Sequence, residues 1–309
     1  MNSGNQKIGI AGLGGVGGFI GAPLVKTYKE KEDVQVIFIC RGETKERIRQ
    51  KGLTFESNGV IETVFPGMAS DDPAEIGTLD VLLIACKSYS LASLLEEYKG
   101  CIGENTVIIP LQNMVNAKEV IQQTLPGRGK VLEGCIYVVS NVKEKGYILH
   151  AGGPGKIFIG GEKQEEYAWL VELLRKGGLD ITYEEEIKKV LWKKFLFLSP
   201  VASVTSAFQV TFGQLLENEE LMKTLDGLMR EVQLLAQAKN ISLSNDDITN
   251  LKTLLTQFPY ESKSSLQLDF EKHNRTEKAF LVDYVIETGK QYGMDTPYYE
   301  RINDQLKHG

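Results

Sequence analysis

The chain has 309 residues, with 35 Lys plus Arg against 41 Asp plus Glu and a formal net charge of −6. At roughly 150 residues per domain, that length suggests two domains, each able to bury its own core. Charged residues at 25% and hydrophobic ones at 42% argue against a disordered, collagen-like or disulfide-stapled chain, and the acidic balance lacks the clustered positive surface that nucleic acid or an anionic membrane needs.

In chain order, residues 7–11 read as a short strand leading directly into Gly12-Leu13-Gly14-Gly15-Val16-Gly17, with a helix from residue 19 to about residue 30. In a strand-turn-helix setting, G-x-G-x-x-G reads as a dinucleotide phosphate site. Gly12 allows the tight turn, Gly14 lets amides approach a pyrophosphate, and Gly17 packs the helix closely on the strand. A glycine-rich turn without a ligand is the plainer alternative. Residues 8–25 are not a secretory or membrane segment, because seven of the eighteen are glycine. The expectation is a cytoplasmic protein.

A second strand spans residues 34–40 and ends in Cys40-Arg41-Gly42, where an NAD site would carry Asp or Glu for the ribose hydroxyls. Arginine there suits a 2′-phosphate, which favours NADPH over NADH, with an ordinary surface arginine as the alternative. Residues 52–55 and 60–65 flank Asn58-Gly59, a strong hairpin signal. Apolar strands at 79–86 and 107–111 end at Lys87 and at Gln112-Asn113. Arg41, Lys87 and Asn113 thus fall at the carboxyl ends of strands, where open α/β sheets place their ligands, and read as cofactor contacts. Further strands are expected at 131–139, 147–150 and 156–159, the last two joined by Gly152-Gly153-Pro154-Gly155.

The four cysteines form no C-x-x-C pair and read as reduced structural thiols. The three histidines make no metal-ligand spacing, and nothing resembles G-x-S-x-G, so no metal site and no Ser-His-Asp hydrolase is expected.

Beyond residue 183 the β-type runs stop, and helices are expected at 187–208, 213–239, 246–257, 262–270 and 275–292. The fold class expected is α/β: a Rossmann-type dinucleotide-binding domain over residues 1–185, followed by an all-α domain over 186–309. Lys194 stands out because its helical neighbours Val190, Leu191, Phe197 and Leu198 are all apolar. Either it serves a reaction or its head snorkels to water. Pro200 should kink or interrupt the same helix. In a helix from residue 275, Glu277 shares a face with Phe280, Leu281 and Tyr284; alternatively, Asn274 and Glu277 form a capping-box variant. Ser264-Ser265 either donate hydroxyls to a carboxylate or start a helix.

Taken together, GLGGVG, the strand ending in CRGE, ACKS at 85–88, LQN at 111–113, LWKK at 191–194, KSSLQLDFE at 263–271 and RTE at 275–277 resemble the ketopantoate reductase (2-dehydropantoate 2-reductase) family over nearly the whole chain. The resemblance implies a Rossmann domain, a helical domain and an NADPH site in the cleft between them. It assigns the turn Gly12, Leu13, Gly14, Gly15, Val16 and Gly17 to the cofactor, with Gly12, Gly14 and Gly17 at the pyrophosphate. Arg41 falls at the 2′-phosphate, and Lys87 and Asn113 near the ribose and nicotinamide ends. Lys194 falls on the catalytic lysine, Ser265 on a substrate-binding serine, and Glu277 on the glutamate that orders the active site and touches the cofactor. The implied reaction is NADPH-dependent reduction of ketopantoate to pantoate, in pantothenate and coenzyme A biosynthesis, by a monomer or homodimer whose partner is the small 2-oxo acid.

The pattern departs from the family where asparagines usually bind substrate: the matching positions are Leu198 and Ala202, and a further polar position is Phe212. Asn113-Met114 replaces Asn-Gly, and Lys278-Ala279 follows Thr276-Glu277. A different, more apolar 2-oxo acid, an opine-type dehydrogenase activity, or an NADPH-binding module without catalysis are therefore the alternatives.

Overall fold

The computed structural model describes residues 5–161 and 163–308. They fall into two compact units, one holding the chain through Gln112 together with Asn116–Ile187, the other holding Asn113–Val115 and the chain from Lys188 onward.

The first unit runs β1 (Gln6–Ala11), α1 (Gly15–Tyr28), β2 (Val34–Ile39), α2 (Gly42–Lys51), β3 (Leu53–Ser57), β4 (Val60–Val64), β5 (Met68–Ser70), α3 (Pro73–Ile76), β6 (Leu79–Ile84), α4 (Leu91–Glu97), β7 (Ile102–Pro110), α5 (Ala117–Thr124), β8 (Lys130–Val131), β9 (Glu133–Glu144), β10 (Tyr147–Gly160), α6 (Ala168–Lys176) and β11 (Ile181–Tyr183). Six strands form a sheet in the order β5-β2-β1-β6-β7-β8, every neighbour parallel. Its central strands are continuous apolar runs because both faces are covered; Ile8, Ile10, Val81 and Leu82 are fully buried. This is the dinucleotide-binding architecture expected from the strand-turn-helix start.

A second sheet of five strands has the order β11-β10-β3-β4, with β9 on the other side of β10. The β3–β4 hairpin turns at Asn58 (φ 51°) and Gly59 (φ 77°), the left-handed pair that a two-residue hairpin requires. Two expectations fail here. The strands at 147–150 and 156–159 are one strand, β10, because register shifts around Gly152 absorb the glycine-rich stretch without ending the pairing. The run at 131–139 divides, β8 joining the first sheet and β9 the second.

Helix α1 packs against β2 of one sheet and against β3, β9 and β10 of the other. A Cβ on Gly18 would lie 2.3 Å from Ile148, and one on Gly21 2.7 Å from Phe38. The glycines beyond the G-x-G-x-x-G turn thus let one helix sit tightly between two sheets.

The second unit contains α7 (Ile187–Phe208) from its second residue onward, α8 (Phe212–Glu217), α9 (Glu219–Ala238), α10 (Asn245–Leu255), α11 (Ser265–Glu271), a π-helical turn (Ala279–Asp283), α12 (Tyr284–Gln291) and α13 (Pro297–His308). The helix expected at 213–239 breaks at Asn218, whose side chain caps α9 by accepting from the amides of Glu220 and Leu221 at 3.0 and 3.1 Å. Helix α7 continues through Pro200, which is buried, so packing outweighs the hydrogen bond that the imide cannot make. Helix α13 was not anticipated. The buried Glu231 carboxylate accepts the amides of Tyr298 and Tyr299 at its start, at 2.8 and 3.0 Å. The fully buried Tyr299 hydroxyl meets Ser199, whose own hydroxyl donates to the Leu281 carbonyl at 2.6 Å. Among the described residues, no helix is long and apolar enough to cross a membrane.

Burial raises the Glu231 carboxyl above the usual carboxylate range, against the two amide bonds that favour its charge. The folded state therefore holds more protons than the unfolded one between the ordinary and the raised pKa, and this group's contribution to stability falls as pH rises through that window. The difference in melting temperature, Glu231→Gln minus wild type, should accordingly grow as pH rises above the ordinary glutamate value of about 4.3. A pH-independent difference would contradict this.

Candidate active site

The glycine turn crosses the carboxyl end of the parallel sheet. Gly12 has φ +94°, and a Cβ there would lie 2.6 Å from the Cys86 amide nitrogen. A Cβ on Gly17 would stand 1.9 Å from the Gly12 carbonyl oxygen, and one on Gly15 2.0 Å from that of Ser140. The protein's own packing therefore demands glycine at three of these positions. Gly14 differs: nothing lies within 4 Å of its Cβ position, so the backbone there faces open space. No side chain caps α1, and the first-turn amides of a helix have no acceptor within it. Leu13 is buried in the core, and the half-buried Val16 packs against it. An uncapped helix start behind an open glycine fits a pyrophosphate.

Arg41 is exposed just beyond β2, at the start of α2. Burial pushes the neighbouring Cys40 thiol up to about 12, which keeps it neutral. Asp71, whose charge also acts on Cys40, is engaged by Lys45 at 2.7 Å and held below the usual carboxylate range by that bond. The end of β2 thus presents a guanidinium, and the carboxylate that follows it, Glu43 in the first turn of α2, is paired with Lys145. Lys87 is half-buried directly before a 3₁₀ turn at Ser88–Ser90. Gln112, to which the strand-end pattern assigns no role, is 6% exposed and donates to the Cys86 sulfur at 3.6 Å. Its Oε1 is buried with no hydrogen-bond partner among the described residues. Only the burial of this amide beside the glycine turn singles it out.

In the second unit, Lys194 donates to Asn113 Oδ1 at 2.9 Å. Both are half-buried. The amine is thus held by a partner and does not simply snorkel. Its neighbour Lys193 is paired elsewhere, with Asp247 at 2.8 Å. Burial opposes the charge on Asp247, but bonds from Lys193 and Ser244 prevail and hold its carboxyl below the usual range.

Of Ser264 and Ser265, the first starts the helix. Ser264 is buried, caps α11 through the Gln267 amide at 3.2 Å, and meets the Thr205 hydroxyl at 2.9 Å. Ser265 is exposed at the first position of α11. Thr205 lies about 16 Å beyond Lys194 along α7, at 1.5 Å rise per residue. The capping-box reading of Glu277 is overturned. Asn274 closes α11 instead, its amide donating to the Asp269 carbonyl at 2.9 Å. The next helix starts only after Glu277, whose carbonyl accepts from Phe280 and Leu281 at 2.9 and 3.2 Å. Its carboxylate, on a residue 6% exposed, is therefore not an N3 capping group. A π-helical turn follows at once, a feature frequent at functional sites.

A parallel sheet with a glycine turn at its carboxyl end and a helical unit that carries a partnered lysine is an architecture found among oxidoreductases. Residues 8–164 match the family described as ketopantoate reductase PanE/ApbA, and residues 186–309 match its C-terminal domain. The chain belongs to the ketopantoate reductase family. It is 29% identical over 305 residues to an uncharacterized oxidoreductase, YkpB, of Bacillus subtilis, covering 98% of each chain. The crystal structure of 2-dehydropantoate 2-reductase from Porphyromonas gingivalis superimposes with a TM-score of 0.83 at 28% identity, covering 98% of this chain and 99% of that one. A D-mandelate dehydrogenase, solved with NADH and anilino(oxo)acetate, shares the fold at a TM-score of 0.85 and 19% identity, over 98% of this chain and 97% of that one.

The glycines make separable predictions. Gly14→Ala should leave stability within about 0.5 kcal/mol while weakening dinucleotide binding roughly tenfold, the equivalent of one lost hydrogen bond. Gly17→Ala should cost about 1–3 kcal/mol of stability through backbone overpacking. Thermal unfolding beside fluorescence titration with NADPH separates the two effects.

Proposed function

We propose that this protein is an NADPH-dependent reductase of a small 2-oxo acid, the class to which ketopantoate belongs, with Lys194 as proton donor. The observation that carries the reading is the bond from Lys194 to Asn113, which aims an amine embedded among apolar neighbours. When bound, the reduced nicotinamide supplies the hydride that attacks the ketone carbon. Negative charge then develops on the ketone oxygen. The Lys194 ammonium donates a hydrogen bond to that oxygen and then its proton, giving the 2-hydroxy acid, and regains a proton from water. Asn113 accepts one of the three ammonium protons and so fixes the direction of the others.

The glycine turn and the start of α1 are assigned to the pyrophosphate, with Lys87 and Glu277 as further cofactor contacts. Arg41 is assigned to the 2′-phosphate, which a guanidinium binds through paired donors. Ser265 is assigned to the substrate carboxylate, and Glu277 to ordering the lysine.

Lys194→Ala should lower kcat by about 10²–10⁴ while leaving the Kd for NADPH nearly unchanged; an unaltered kcat removes the proposed acid. Arg41→Ala should raise KM for NADPH by roughly 10–100-fold, the worth of a charge-assisted contact, with no change for NADH. Initial rates followed at the nicotinamide absorbance, with each cofactor in turn, measure both.

A further inference from the structure

We infer that the substrate carries a branched or aromatic apolar side chain, seated on Leu198 and the ring of Phe197, and that the hydroxyl distinguishing ketopantoate finds no partner there. The inference rests on the reductase reading above and names the substrate class for that site.

Phe197 and Leu198 follow Lys194 by three and four residues, so both lie on its side of α7. Each is half-buried, whereas Val201 and Ala202, the next on that side, are 2% and 1% exposed. From Lys194 to Thr205 the stripe offers Leu198, Val201 and Ala202, with no hydrogen-bonding side chain. The first hydroxyl met, on Thr205, is already engaged with Ser264.

The aromatic wall beside this stripe is prebuilt. The Phe197 ring stacks on Phe258, with centroids 5.7 Å apart and planes at 18°. Phe258 in turn meets Phe212 edge-on at 5.4 Å. The segment carrying Phe258 is strapped to the start of α8 by two backbone bonds, Phe212 to the Ser262 carbonyl and Gly213 to the Tyr260 carbonyl, both 2.9 Å. The Tyr260 ring lies so close over Gly213 that a Cβ there would sit 2.0 Å away. A ring fixed by stacking on one side offers its other face, three residues from Lys194 on α7, at little entropic cost. A hydroxyl pressed against it gives up its water without compensation.

The test uses a matched pair: ketopantoate, which is 4-hydroxy-3,3-dimethyl-2-oxobutanoate, and 3,3-dimethyl-2-oxobutanoate, which lacks only the hydroxyl. Phenylglyoxylate and pyruvate extend the series. With wild-type enzyme and NADPH, kcat/KM should be about 10–100-fold higher for the compound without the hydroxyl, the range an apolar pocket achieves. Leu198→Asn should shift that ratio toward ketopantoate by about tenfold, and Phe258→Ala should lower kcat/KM for phenylglyoxylate more than for pyruvate. Turnover with ketopantoate equal or preferred overturns the inference and leaves the reductase reading standing. Absence of NADPH oxidation with all four acids removes both.

Discussion

The first unit is organised by how closely a helix can approach two sheets at once. Helix α1 enters from a turn in which the carbonyl of Gly12 faces Gly17 at a distance that leaves no room for a Cβ. It then runs between Phe38 of one sheet and Ile148 of the other, with glycine at both contacts. Any larger residue would lift the helix and open the core beneath it. The same constraint fixes where the helix begins, and so where its unpaired amides emerge. Tight packing and the exposure of those amides are consequences of one geometry, and of Gly12, Gly14, Gly15 and Gly17 only Gly14 has open space where a Cβ would stand.

The second unit poses the opposite problem, a charged group on an apolar helix face. An ammonium among Phe and Leu side chains is costly without a partner, and Asn113 supplies one from a short segment that groups with the helices and not with the sheet. The lysine on the adjacent position is tied to Asp247. Two consecutive lysines thus have separate partners, one anchoring α10 and the other held by an amide. Around the second, α7 presents aliphatic side chains and a stacked phenylalanine ring. The neighbourhood suits a proton donor, because desolvation strengthens its interaction with a developing oxyanion.

Much of this was legible in the chain, since it depends on local chemistry. The strand-turn-helix start, the Asn58-Gly59 hairpin and the apolar parallel strands follow from turn preferences and two-sided burial. The bounds of α7 follow from its apolar periodicity. Other features depend on partners distant in sequence. Strands β8 and β9 come from one apolar run because separate sheets claim its halves, and β10 survives its glycines because β9 keeps pairing across the shifts. Helix α13, rich in charge, is held by Glu231, which lies 66 residues before its first residue, Pro297. No window around either segment contains that bond.

The candidate site divides in the same way. The sequence by itself determined which residue types stand at the strand ends, which lysine sits among apolar neighbours, and that Leu198 and Ala202 continue that apolar face, because spacing and side-chain chemistry are local properties. Only the tertiary structure decided that Asn113 holds that lysine, that Glu277 lies outside the helix it would have capped, and that Phe197 is backed by Phe258 and Phe212. Hydrogen bonds and ring contacts depend on distances between elements, and those arise from packing the whole unit.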